Sequence, residues 1–131
     1  MSNRKITMKK KKPRIRWLNK PAKHDYLAAE HYLSLLFDEA TVARYARKLR
    51  RAEVVEFEAK DLLRASNLAP LGASNSHVKQ DRQKIDKGTP LSPLLLVRDR
   101  DNVKLIIADG YHRLCAAHSV DEDATIPCCL E

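Results

Sequence analysis

The stretch IIADGYHRLCAAH, residues 106–118, constrains the fold more than any other part of the chain. A run of apolar residues ends at Asp109 and Gly110, and a short Ala-rich segment with helical spacing opens at once. A strand that turns into a helix with no intervening loop must pack against that helix, which points to a sheet-based α/β domain. Gly110 supplies the backbone freedom for so sharp a turn. The start of a helix carries unsatisfied amide N–H groups and a partial positive charge, so the same turn is an anion seat. His112 and Arg113 fall in its first turn, where an imidazole can donate and a guanidinium fork matches two phosphate oxygens. Asp109 is the awkward neighbour. Its carboxylate repels phosphate unless it binds a metal, accepts from a hydroxyl or orients Arg113.

The net charge of +8 is not spread over the 131 residues. Residues 1–23 hold ten Lys or Arg and no acid, whereas the remainder holds fifteen basic against seventeen acidic residues, a net of −2. The first segment is expected to be a disordered basic arm. Lys9, Lys10, Lys11, Lys12, Arg14 and Arg16 are its candidate contacts to DNA or RNA, with Trp17 as a stacking surface; such contact is electrostatic and nonspecific in sequence. No apolar run approaches the length of a membrane span, and the basic N-terminus lacks a secretory core, so the expectation is a cytoplasmic protein without membrane contact. Cys115, Cys128 and Cys129 are an odd set without paired metal spacing, and neighbours on a strand point to opposite faces; neither a disulfide framework nor a metal site is expected.

Helical periodicity covers residues 24–52. Tyr26, Ala29, Leu33 and Leu36 form a stripe with Tyr32 and Leu35 beside it, Asp38 is an N-cap, and Val42, Tyr45, Ala46 and Leu49 face inward in a second helix. Arg44, Arg47, Lys48 and Arg51 then form a solvated basic face. From residue 53 the pattern alternates: a strand at EVVEFEA, a helical turn or two at KDLLRAS, and a loop through Pro70 and Gly72. A polar helix closed by Gly88, paired antiparallel strands at PLLLV and VKLIIAD, the helix at 112–120 and a last strand at IPCCL complete it. The three parts are therefore an arm over 1–23, a helical segment over 24–52 and a mixed α/β domain over 53–131.

ADGYHRLCAAH, preceded by KGTPLSPLLLV and followed by IPCCL, resembles the ParB/sulfiredoxin superfamily, whose members carry a Gly, variable, basic, Arg signature at a strand-to-helix turn. The resemblance covers roughly residues 53–131 and implies a small mixed sheet with flanking helices. In ParB partition proteins a similar domain binds CTP and clamps DNA, and a helix-turn-helix domain follows; here the chain stops after the last strand. In sulfiredoxin the variable signature residue is the catalytic cysteine, with ATP phosphates on the His and Arg. Tyr111 stands there in this chain, and a phenol cannot attack as a thiolate does. The free serine kinases have a signature close to DGYHR, but their glutamate base has no counterpart between residues 68 and 85, where Asp81 is the only carboxylate.

The resemblance implies phosphate or nucleotide binding by Gly110, Tyr111, His112 and Arg113. It also implies that the polar helix faces the same phosphates, through His77, Gln80 and Lys84. The implied ligands are CTP, ATP or ADP with magnesium, or another phosphorylated small molecule, and a second copy of the chain is an expected partner. An enzyme, a nucleotide-dependent phosphotransferase or hydrolase using Asp109 and His112, is the first alternative. A protein-interaction module acting through the N-terminal helices is the second.

Overall fold

A computed structural model describes residues 13–131. Lys9, Lys10, Lys11 and Lys12 lie outside the described residues. Among the described residues five helices flank a four-stranded mixed sheet, α1 Lys23–Leu33, α2 Glu39–Arg51, β1 Val54–Glu58, α3 Ala59–Ser66, α4 Ser76–Lys87, β2 Leu94–Asp99, β3 Lys104–Asp109, α5 Tyr111–Val120 and β4 Thr125–Leu130. The mixed α/β class expected from the sequence is what the chain adopts. The strand order is β1-β4-β2-β3, with β4 parallel to β2 and the other two pairings antiparallel.

The sheet is covered on both faces. β2 therefore reads as an unbroken apolar run, and Leu94, Leu95, Leu96 and Val97 are all fully buried, two on each side. One face carries α3 and α5 through Leu62, Leu63, Leu114 and Ala117, which meet Leu94, Leu96 and Ile107. The other carries α1 and α2 through Ala29, Leu33, Val42 and Leu49, which meet Leu95, Val97 and Ile106. The segment 24–52 thus closes one face of the same core. Cys128 and Cys129 divide between the two faces as strand alternation requires, and the three cysteines are free and buried. Burial pushes the Cys128 thiol up to about 12.

Outside α5 lies α4, which buries Val78 and Ile85 against Cys115 and Ala116, small residues that let the helices approach closely. Asn75 caps α4 by accepting from His77 and Val78 N–H, and Gly88 ends it in the left-handed conformation. Asp38 caps α2 by accepting from Thr41 N–H at 2.8 Å.

Two sequence expectations change here. The basic arm is seated on the domain at least from its last part. Trp17 bridges Leu91, with Leu18 N–H donating to Leu91 carbonyl and Leu91 N–H to Arg16 carbonyl. Ile15 and Trp17 pack on the cores around α4 and α5, while Arg14 and Arg16 stay exposed. Trp17 is a packing residue, and its indole is half-buried. The stripe of α1 also stops short. The helix ends at Leu33, so Leu35 and Leu36 leave its register and are 80% and 49% exposed, with Tyr32 at 45%.

Candidate functional site

The turn between β3 and α5 is built by two irregularities. The β2–β3 pairing runs Leu96 to Ile107 and then Leu95 to Asp109, so Ala108 is an extra residue and the strand bulges next to the turn. Gly110 follows with φ 109°, and a β-carbon there would stand 2.7 Å from Leu94 Cγ and 2.9 Å from Arg113 Nη2. Only glycine fits both the backbone and the space.

The first hydrogen bond of α5 is Leu114 N–H to the Gly110 carbonyl, and no side chain caps the helix. Among the described residues the amides of Tyr111, His112 and Arg113 have no acceptor. They border a cleft of about 270 Å³ between α5 and α4, whose walls are Gly110, Tyr111, His112, Arg113 and Asp109 on one side and His77, Gln80, Asp81 and Lys84 on the other. All seven residues expected to hold phosphate thus converge on one cleft, together with Asp109 from the end of β3. The His77 and His112 rings lie 4.7 Å apart, centroid to centroid, tilted by 38°. Burial, reinforced by His77 and Arg113, holds the His112 imidazolium below its usual pKa, against an opposing pull from Asp81.

Arg113 does less than its fork allows. Nε donates to Ser92 carbonyl at 2.9 Å, and Nη2 donates to Asp109 at 3.0 Å and to Pro93 carbonyl at 3.3 Å. Asp25 at the start of α1 comes within 3.8 Å of the same Nη2. The guanidinium is a pin that ties β3, α5, the segment before β2 and the first turn of α1, leaving the Nη1 edge and a fixed positive charge for the cleft. Of the roles open to Asp109 from the sequence, orienting Arg113 is the one its contact performs. Burial still raises its pKa, the Arg113 charge pulling the other way. Tyr111 is likewise occupied, its hydroxyl donating to the Ala69 carbonyl and closing the loop before α4.

Two carboxylates beside the cleft were not among the expected phosphate contacts; Asp25 escaped the sequence reading, whereas Asp81 was noted only as the one carboxylate of its stretch. Asp25 is buried and accepts from Ala22 N–H, and nothing in its local sequence distinguishes it from an ordinary first-turn acid. Asp81 had a signal. His77, Gln80, Asp81 and Lys84 follow the i, i+3, i+4, i+7 spacing that defines one helix face, so the carboxylate had to lie with the basic and amide groups. Its side chain is 13% exposed and 3.9 Å from Lys84 Nζ. Burial raises its pKa, with Lys84, Arg113, His112 and His77 opposing.

Arg14 and Arg16 are exposed and are not among the residues that line this cleft. Among the described residues no group of three or more His, Cys, Asp and Glu side chains could hold a metal ion, and no helix is long and apolar enough to cross a membrane. No family model, curated protein or solved structure matches the chain.

Proposed function

We propose that the chain binds a nucleotide or another phosphorylated ligand in the cleft between α4 and α5. The observation that carries this is the meeting of three acceptor-free helix-start amides with His77, Gln80, Lys84 and His112 in one small polar cleft. The amides take the phosphate oxygens head-on; Lys84 and the two imidazoles supply donors from the side, and Arg113 adds a fixed charge from beneath. Its resemblance to the ParB/sulfiredoxin superfamily supports CTP, ATP or ADP as the ligand, with magnesium as the cation that would offset the phosphate charge. The exposed Arg14 and Arg16 support an added electrostatic contact to DNA or RNA.

The test is calorimetric titration with CTP, ATP, ADP and inorganic phosphate, with and without magnesium, on the wild type and on Lys84→Ala and His112→Ala. Binding of at least one of them, weakened in both variants, is the expected result. Wild-type protein that binds none of the four defeats the reading.

Asp81 favours a second reading, phosphoryl transfer to a hydroxyl. Its carboxylate stands in the cleft with a raised pKa, the property that makes a carboxylate a better general base. On this reading Asp81→Asn abolishes nucleotide turnover while leaving nucleotide affinity within about threefold. Equal nucleotide loss in a coupled assay by wild type and variant removes it.

A further inference from the structure

We propose that the outer edge of β3 takes an extended peptide as a fifth strand of the sheet. A groove of about 740 Å³ runs beside this strand, and all six residues Lys104–Asp109 line it. Successive residues of a strand point to opposite faces. A single cavity touched by every one of them must therefore run along the strand's backbone edge. β3 ends the sheet order, with β2 as its one neighbour, and its outward backbone groups have no partner among the described residues.

An open edge is ordinarily blunted by charge, proline or a covering element. Here it is walled by apolar side chains instead. Tyr32, Leu36 and Phe37 stand on the α1 side and Leu68 on the α3 side, and three of these four are more than 40% exposed. Such walls suit alternate side chains of an added strand, one set to each side, while the free ladder groups require a partner with donors and acceptors at the spacing of a polypeptide backbone. Six residues of β3 set the length of the pairing segment. The occupant is therefore an extended segment of about six residues whose alternate side chains meet the two apolar walls.

This does not depend on phosphate binding, since the groove and the small cleft share only Asp109–His112. The test pans a random twelve-residue display library on the full chain, then synthesises the enriched peptides with and without N-methyl groups on alternate amides. Enriched sequences are expected to share an extended motif of about six residues rich in apolar side chains. N-methylation and Leu36→Glu each weaken binding by about tenfold or more, and hydrogen exchange at Leu105–Ala108 slows on binding. Leu36 is half-exposed, so its replacement spares the core. Three results overturn the proposal: no enrichment, binding indifferent to N-methylation with β3 exchange unchanged, or concentration-dependent self-association relieved by Leu36→Glu, which assigns the edge to a second copy.

Discussion

Gly110 and Arg113 together hold the turn from which the site is built, and each is replaceable only at a cost that its surroundings set. A methyl group on Gly110 meets Leu94 and Arg113 and forces a side-chain-bearing residue to φ 109°. The backbone strain and the overpacking each cost about 1–3 kcal/mol. Gly110→Ala is expected to lower stability by at least about 2 kcal/mol, measured from urea unfolding, and to weaken phosphate binding in the fraction that folds. Arg113 makes three hydrogen bonds that diverge to Ser92, Pro93 and Asp109, a geometry that only a planar fork can supply. Lysine keeps the charge and loses the fork. Arg113→Lys should therefore behave as a broken pin, losing roughly 2–3 kcal/mol because Asp109 and Asp25 stay in place with a poorer partner. Unchanged unfolding midpoints in Arg113→Lys would show that charge alone suffices.

At the scale of elements, what was legible in the sequence depended on whether one signal dominated. Asp38 and Gly88 announce the start of α2 and the end of α4, and the structure places both as caps. β2 and β3 pair antiparallel across the charged turn, as their apolar runs foretold. The arm misled because two signals overlap in it. The alternation Arg14, Ile15, Arg16, Trp17 has the period of a strand with one apolar face, but the lysine run beside it reads as solvated charge. α1 misled for another reason: the stripe through Leu36 assumes that the helix continues, and a helix without a glycine stop leaves its end to tertiary packing. The site's stage was legible, since Gly110 and its neighbours announce a helix-start seat. The commitment of Arg113 was not, because Ser92, Pro93 and Asp25 are distant in sequence and meet it only when the sheet forms. If the bridged segment belongs to the core, Trp17→Ala must cost stability. A half-buried indole touching two clusters is worth about 2 kcal/mol. Differential scanning calorimetry of Trp17→Ala reads this directly, and an unchanged melting temperature would return the segment to the role of a detached arm.

For the whole molecule, the proposed phosphate site joins the protein's stability to binding through one imidazole. His112 has its pKa lowered by burial first and by His77 next, so on acidification the unfolded chain takes up this proton before the folded one. Its contribution to folding is present above the unfolded value of 6.5 and is lost as pH falls towards the folded one. A phosphate dianion seated on α5 would reverse the electrostatics, because it favours the imidazolium that burial and the neighbouring cations disfavour. Binding must then take up a proton. The affinity for a phosphate monoester is expected to rise as pH falls from 8 towards about 6.5, and to level off as the monoester itself protonates near its second pKa of about 6. Calorimetry in two buffers of different ionisation enthalpy measures the proton uptake. His112→Ala should flatten the pH dependence while retaining part of the affinity, since the three amides and Lys84 remain. A wild-type affinity that is flat across this range would place the anion away from His112, and with it away from the start of α5.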